Sequence, residues 1–191
     1  MSEWDIGRLF ERMASHGDGA YGLSDVTQLD HALQSAALAD RRGLGDAMVV
    51  AALFHDVGHL LEIEDADLAS QGIDDRHEES SADVLQPLFG ESVSEPVRLH
   101  VAAKRYLCTV EPDYHDRLSD DLKLSLKLQG GTMTEEERAA FERHPFSGDG
   151  VGLRRIDDEA KVTGLDVPGP EAYRHRAERL AEDWRSRLRG D

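Results

Sequence analysis

A nearly continuous apolar segment at residues 44–61 constrains the fold of this 191-residue chain more than any other feature. It includes the stretch MVVAALFHDVGHLL, which is apolar on almost every side of a helix and is therefore typical of a buried central helix. Its polar residues His55, Asp56 and His59 are expected to face the interior or a cavity. Because burying an unpaired carboxylate is costly, Asp56 should meet either a metal or a hydrogen-bonding neighbour helix.

Helical periodicity and capping residues predict helices along the rest of the chain. Thr134 and Glu137 have the spacing of a capping box, and Pro96 is expected in the first turn of the helix that carries His100. No strand pattern, repeat or linker is evident, so we predict a single all-α domain over residues 1–191. Besides the central helix, helices are expected at 4–13, from 25 or 27 through 36, from 74 or 75 to between 87 and 90, from 96 onward, at 119–128, at 134–145, within 146–160, and at 170–190.

Six residues of metal-ligand type, spread over separate predicted helices, give the pattern H…HD…H…H…D. They are His31, His55, Asp56, His77, His100 and Asp157. A single histidine on an apolar helix is more often packed and hydrogen-bonded than a ligand, but a set of six favours metal binding. Imidazole and carboxylate ligands suit Fe, Mn or Zn better than Ca or Mg. Six ligands exceed what one catalytic ion with an open position needs, so two metals sharing Asp56 are predicted.

The composition narrows the classes of partner. The net charge of −17 argues against binding to nucleic acid or to an anionic membrane, because both need a basic surface. Cys108 is the only cysteine, so no intramolecular disulfide can form. No apolar stretch is long enough to span a membrane, and the N-terminal residues lack the apolar core of a signal peptide. We expect a cytoplasmic protein with no evident protein partner.

These residues resemble the HD-domain superfamily, whose signature is H…HD…D on an all-α core. Most members are metal-dependent phosphohydrolases, and a smaller branch consists of mixed-valent di-iron oxygenases. The chain looks closest to the phosphonate-cleaving part of that branch, which includes a glycine-forming 2-amino-1-hydroxyethylphosphonate dioxygenase. The likeness spans residues 21–161 and is carried by YGLSDVTQLDHALQSA, ALFHDVGHLL, RHEESSADVL, HVAAKRYL, LKLSLKLQGGTM and LRRIDDEAK.

The resemblance implies two iron ions in a mixed-valent Fe(II)/Fe(III) pair. One iron would be bound by His31, His55, Asp56 and Asp157, and the other by His77 and His100, with Asp56 bridging. Tyr21 matches a tyrosine that occupies the open iron position until the substrate arrives. The positions that match phosphonate-binding residues are His59, Lys104, Ser125, Gln129 and Arg154.

The chemistry of two of these residues supports the same role independently. Lys104 lies one helical turn after His100, and Arg154 lies three residues before Asp157, so each shares a helix face with a ligand. A lysine and an arginine together suit a tetrahedral dianion. Without the resemblance, surface ion pairing explains Lys104 and Arg154 equally well.

One departure from the family pattern concerns the amine end of the substrate. Where the aminoethyl enzyme has a glutamate that binds an ammonium group, this chain has Ser24. A quaternary trimethylammonium donates no hydrogen bond and is better bound by aromatic faces such as Tyr21 or Tyr106. We therefore expect either 1-hydroxy-2-(trimethylammonio)ethylphosphonate or 2-amino-1-hydroxyethylphosphonate as substrate, with O2 as co-substrate. The products would be phosphate with glycine betaine or glycine.

Two other classes remain open at this point. A metal-dependent HD phosphohydrolase acting on a phosphomonoester or nucleotide could use the same ligands to generate a hydroxide nucleophile. A non-enzymatic ligand-binding HD protein would need an incomplete ligand set, whereas the set here is complete. Dependence of turnover on iron and O2 separates the oxygenase from the phosphohydrolase.

Overall fold

The computed structural model describes residues 4–19, 25–61 and 76–190, and within them it contains helices and no β-strand, as predicted. None of the described helices is both long and apolar enough to cross a membrane. In chain order the helices are α1 (Ile6–His16), α2 (Gln28–Arg41), α3 (Asp46–Phe54), α4 (Gly58–Leu61), α5 (His77–Phe89), α6 (Glu91–Val110), α7 (Tyr114–Arg117), α8 (Asp120–Leu128), α9 (Glu135–Arg143), α10 (Ser147–Glu159) and α11 (Glu171–Arg189).

Helix α3 lies at the centre of the fold, which confirms the prediction of a buried central helix. Every residue from Met48 to Phe54 is buried. Helices α2, α6, α10 and α11 pack around α3, and α5 packs against α6. Burying each of the larger side chains among them, the Met, Val, Leu and Phe residues, contributes about 1.5–3 kcal/mol, so this helix anchors the elements that carry the predicted ligands.

The prediction of one continuous helix over residues 44–61 is wrong, because the chain turns at residues 55–57 between α3 and α4. Here the amide of Val57 bonds the carbonyl of Phe54, three residues back, in place of the four-residue spacing of an α-helix. The cause is a close approach of α5 to Gly58. A Cβ at Gly58 would lie 2.4 Å from the carbonyl oxygen of His77, and the Gly58 amide donates to Ser81 Oγ at 2.8 Å. The turn therefore falls on His55 and Asp56.

Two further predictions about helices are corrected by the structure. Helix α6 begins at Glu91, so Pro96 lies inside the helix and not in its first turn. Gly90, with a φ of 75°, both ends α5 and precedes α6, and a side chain there would collide with the ring of Trp184. Helix α7 was not predicted, because four residues are too few to show a periodic pattern.

Other boundaries agree with the capping signals. Thr134 and Glu137 form the predicted capping box at the start of α9, and Ser119 caps α8. Gly190 ends α11 in the left-handed conformation. The predicted start of the His77 helix at Asp74 or Asp75 lies outside the described residues.

Candidate metal centre

The six predicted ligands come from five separate parts of the fold and converge at its centre. Their donor atoms face one another across the gap between α2, α5, α6 and α10. The ligands are His31 on α2, His55 and Asp56 in the turn after α3, His77 at the first position of α5, His100 in α6, and Asp157 near the end of α10.

Three of these residues form a fully enclosed group, which we call the inner cluster: His31, His55 and Asp157. The two histidine Nε2 atoms lie 3.1 Å apart. Asp157 Oδ1 lies 3.2 Å from His31 Nε2 and 4.0 Å from His55 Nε2. Both histidines are 0% exposed and Asp157 is 2% exposed, so the side chains of the inner cluster are buried from solvent.

A second group, which we call the outer cluster, consists of His59, His77 and His100. The Nε2 atoms of His77 and His100 are 3.3 Å apart. The ring of His59 stacks on that of His77 with 4.1 Å between the ring centres. Donor atoms of Asp56, His59 and His77 all lie within 4.8 Å of one another, so both His59 and His100 are within reach of an ion beside His77. His59 is exposed, and the outer cluster is therefore the open side of the centre.

Asp56 lies between the two clusters with one oxygen toward each. Its Oδ2 is 3.3 Å from His55 Nε2 and 3.6 Å from His31 Nε2. Its Oδ1 is 3.4 Å from His77 Nε2 and 3.6 Å from His100 Nε2, and it accepts no hydrogen bond from the described residues. Such an arrangement is that of a carboxylate that bridges two cations.

The hydrogen bonds of the Nδ1 atoms indicate which ring nitrogen of each histidine faces the clusters. The Nδ1 contacts are His31 to the carbonyl of Ala160 at 2.8 Å, His55 to that of Ala52 at 2.9 Å, and His100 to that of Val97 at 2.6 Å. A carbonyl oxygen only accepts, so each Nδ1 carries the proton and each Nε2 presents a lone pair. In the inner cluster two lone pairs and a carboxylate oxygen thus face one point, which is unfavourable unless a cation sits there.

The spacing of the donor atoms fits a transition metal. Ligand atoms about 2.0–2.2 Å from a shared ion are separated from one another by roughly 3.0–3.5 Å. The separations of 3.1 Å and 3.2 Å in the inner cluster, and of 3.3 Å in the outer cluster, lie in this range. The residues present therefore fit two metal ions with nitrogen and oxygen ligands.

The protonation states also suit metal binding. Burial lowers the pKa of His55 and lowers that of His100 to about 3, which keeps both imidazoles neutral. Burial alone would raise the pKa of Asp56, but the neighbouring His55 and His77 outweigh it and hold that pKa well below its usual range. Neutral imidazole and ionised carboxylate are the ligand forms that a metal requires.

Basic side chains contact both oxygens of Asp157. Arg154 Nη1 donates to Asp157 Oδ2 at 2.7 Å, and Lys161 Nζ lies 3.2 Å from Asp157 Oδ1. Arg154 also bonds Asp158 and the hydroxyl of Tyr114. The pKa of Asp157 is held well below its usual value, because the charges of Arg154 and Lys161 overcome the effect of burial.

Three of the predicted substrate residues lie on α6, on α8 and directly after α8: Lys104, Ser125 and Gln129. Lys104 is 2% exposed and donates to Ser125 Oγ at 2.7 Å. Burial and the charge of Arg154 lower the pKa of Lys104 to about 7. Gln129 Oε1 is buried and accepts no hydrogen bond from the described residues.

Three predicted site residues need separate comment. Tyr21 and Ser24 lie outside the described residues. Tyr106 was expected to offer an aromatic face to a trimethylammonium group, but its ring stacks on Phe141 of α9 with 4.9 Å between the ring centres. Its hydroxyl donates to Glu142, so Tyr106 is engaged with α9.

Tyr114, Asp158 and Lys161 were not predicted from the sequence as residues of the site. Lys161 lies one helical turn beyond Asp157, a spacing that would have pointed to it, whereas no local signal marks Tyr114. A cavity of about 320 Å³ opens beside these residues. It is lined by Tyr114, Arg117, Leu118, Ser119, Leu122, Asp158 and Lys161.

Comparison with known families gives one match that covers most of the chain. The HD domain family matches residues 28–162, which include every candidate metal ligand. The match begins at the first residue of α2 and ends just beyond α10, so it spans the helices that carry the two clusters.

Three curated proteins are similar over most of their length. Hydroxymethylphosphonate dioxygenase of Gimesia maris is 47% identical over 91% of this chain and 87% of its own. The glycine-betaine-forming [1-hydroxy-2-(trimethylamino)ethyl]phosphonate dioxygenase of Leisingera caerulea is 40% identical over 85% and 82%. An uncharacterized protein, L432, of Acanthamoeba polyphaga mimivirus is 35% identical over 83% and 74%.

Proposed function

The chain belongs to the HD-domain family and groups with its phosphonate dioxygenases, and from this premise we propose that it cleaves the C–P bond of a 1-hydroxyphosphonate with O2. Both named relatives act on a phosphonate whose phosphorus-bearing carbon carries a hydroxyl group. The structural observation that carries the two-metal part of this proposal is Asp56, which presents one carboxylate oxygen to each of two metal-ligand clusters. The similarity to two phosphonate dioxygenases is what favours C–P cleavage with O2 over hydrolysis.

The metal ions in this proposal are two irons, in a mixed-valent pair. The inner cluster and Asp56 Oδ2 would hold one, and His77, His100 and Asp56 Oδ1 would hold the other. Iron supplies the O2 chemistry and, as a Lewis acid, polarises the substrate oxygens. The protein contributes the neutral imidazoles, the bridging carboxylate and the exclusion of water from the inner cluster.

Basic and polar side chains would bind the phosphonate. Lys104 and Arg154 each carry a buried positive charge beside the centre, in a protein whose net charge is −17. A guanidinium has five N–H donors, so the three bonds that Arg154 makes to protein leave capacity for a phosphonate oxygen. We assign His59, Ser125 and Gln129 to the remaining phosphonate contacts. These donors would also stabilise the negative charge that builds up on the departing phosphoryl group.

The reaction balances with one O2 for each phosphate released. The C–P bond breaks, the carbon is oxidised to a carboxylate, and phosphorus leaves as inorganic phosphate, with both atoms of O2 accounted for in the products. Hydroxymethylphosphonate would give formate, and the trimethylammonio compound would give glycine betaine.

Two substrates within this class are each supported by an observation. The 47% identity to hydroxymethylphosphonate dioxygenase favours the smaller substrate, and Ser24 is compatible with it because that substrate has no amine to bind. The 40% identity to the glycine-betaine-forming enzyme favours the trimethylammonio substrate, and the same serine suits a quaternary amine. We also propose a cytoplasmic location, from the single cysteine and the acidic surface.

The test is a phosphate assay on iron-loaded protein with three substrates, hydroxymethylphosphonate and the primary-amine and trimethylammonio 1-hydroxyethylphosphonates, each with and without O2. We expect phosphate release that requires O2, with hydroxymethylphosphonate or the trimethylammonio compound preferred. Phosphate release from a phosphomonoester without O2, and none from the phosphonates, would assign the chain to the phosphohydrolases.

A further inference from the structure

Asp157 has to direct one particular oxygen into the inner cluster. Its Oδ1 faces His31 Nε2 at 3.2 Å, while its Oδ2 accepts from Arg154 Nη1 at 2.7 Å. The carboxylate can rotate about its own bond. Lys161 Nζ lies 3.2 Å from Oδ1, and Arg154 is the contact that holds Oδ2 away from the inner cluster. Arg154 is 2% exposed, and a buried guanidinium with this role must itself be held in place.

Tyr114 supplies one of the bonds that hold Arg154. Its hydroxyl accepts from Arg154 Nε at 3.1 Å and donates to Asp158 Oδ2. Asp158 Oδ1 in turn accepts from Arg154 Nη2. The three side chains therefore form a closed ring of hydrogen bonds, in which the phenol is the only member that is both donor and acceptor.

The setting of Tyr114 makes this ring stable. Tyr114 is 4% exposed and belongs to the small apolar cluster of Leu107, Leu118 and Leu126, away from the main core. Burial raises the pKa of Tyr114, so the phenol stays protonated and can keep donating to Asp158. With Nε and Nη2 of Arg154 engaged in the ring, Nη1 is the guanidinium nitrogen that donates to Asp157.

We propose that Tyr114 is a positioning residue for the metal centre: through Arg154 it fixes the Asp157 carboxylate with Oδ1 toward His31 and His55. This inference rests on the metal centre of the proposed function. It assigns a role to α7, a segment that carries no candidate ligand. Removing the phenol hydroxyl should weaken binding of the metal at the inner cluster and leave the outer cluster unaffected.

The experiment is an anaerobic Fe(II) titration against a competing chelator. The chains compared are wild type, Tyr114→Phe, Tyr173→Phe, Arg154→Lys and the double variant Tyr114→Phe/Arg154→Lys. Tyr173 is a matched control, because it is a tyrosine with 2% exposure on α11. We expect Tyr114→Phe to weaken one of two binding steps by about 10-fold, the lower end of the loss seen when a residue that orients a ligand directly is removed, because Tyr114 acts through Arg154. Tyr173→Phe should bind iron as the wild type does.

The double variant separates positioning through Arg154 from a general loss of stability. If Tyr114 acts through Arg154, the double variant binds iron no more weakly than Arg154→Lys alone. Additive losses, or an unchanged titration for Tyr114→Phe, would overturn the proposal. Two binding steps in the wild type with no effect of Tyr114→Phe would overturn this inference and leave the proposed metal centre standing. A wild-type chain that binds no iron would overturn both.

Discussion

The inner and outer clusters are built from similar residues but differ in how the fold holds them. In the inner cluster, His31 bonds the carbonyl of Ala160 across 129 residues of sequence, and Asp157 is braced by Arg154 and Lys161. In the outer cluster, His77 and His100 come from the adjacent helices α5 and α6, and His77 is partly exposed beside the exposed His59. A catalytic metal site keeps one coordination position open, and the outer cluster is the half that lies toward solvent. We therefore expect the inner cluster to hold its metal more firmly, and the outer cluster to be the half that a small molecule reaches first.

Removing the residue shared by both clusters should have the largest effect. Asp56→Ala removes the carboxylate that would balance the charges of both metal ions, so both metals should be lost. Turnover should then fall at least about a hundredfold, which exceeds the loss expected for a residue that only orients a ligand. Metal analysis of the purified variant, together with the phosphate assay, measures this. Asp116→Ala, an exposed aspartate on α7, is the control and should be neutral. An Asp56→Ala chain that kept two metals would refute the bridging role.

The two clusters should also differ in how much they contribute to the stability of the fold. In metal-loaded protein, His31→Ala should lower the free energy of unfolding by about 2–4 kcal/mol, because a fully buried ring and its long-range hydrogen bond are lost with the metal. His77→Ala should cost less than half of that, since its surroundings are open and local. Urea unfolding of the two variants measures the difference. Equal losses would show that the clusters do not differ in their contribution to the fold.

The proposed role of Lys104 in phosphonate binding can be tested by the pH dependence of KM. Its pKa of about 7 means that it loses its proton as the pH rises through neutrality, and the protein then loses a positive charge that faces the phosphonate. KM for the phosphonate should therefore rise above pH 7. Lys104→Met should raise KM about 10- to 150-fold at pH 6, the effect of losing a charged hydrogen bond, and should flatten the rise above pH 7.

The control for this test is Lys127→Met, which removes an exposed lysine on α8. It should keep both the wild-type KM and its pH dependence. If Lys104→Met changed kcat alone and left KM unaltered, the assignment of Lys104 to phosphonate binding would be wrong.

His59 should give the smallest of these effects. As an exposed residue at the open side it would contribute one hydrogen bond to the phosphonate, so His59→Gln should raise KM by about 2- to 13-fold. Metal content should stay at the wild-type level, because His100 remains beside His77. A loss of one metal in His59→Gln would instead make His59 a ligand of the outer cluster. His175→Gln, an exposed histidine on α11, provides the matched comparison.

The sequence allowed the ligands to be predicted because they are unusual in their surroundings. Asp56 is a charged residue in an apolar stretch of sequence, and its position alone pointed to a metal or a buried partner. Local signals also predicted the capping box at Thr134, the end of a helix at Leu128 and the end of the last helix near Gly190. Each of these depends on residues a few positions apart, which a sequence pattern can show.

Features that depend on distant parts of the chain could not be predicted in the same way. The turn at residues 55–57 arises because α5 approaches Gly58 through the carbonyl of His77, and no residue near Gly58 in sequence signals that approach. Likewise, Tyr114 joins Arg154 across 40 residues from a four-residue helix. Periodicity describes one helix at a time, whereas these features arise from the packing of one element against another.

The most direct test of the central claim is low-temperature EPR spectroscopy of the iron-loaded protein after one-electron oxidation, with the iron content measured on the same sample. A carboxylate that bridges the two clusters predicts two irons per chain and the signal of a spin-coupled Fe(II)/Fe(III) pair, absent from Asp56→Ala. One iron per chain, or two irons with independent signals, would contradict the shared Asp56 and the dinuclear centre built on it.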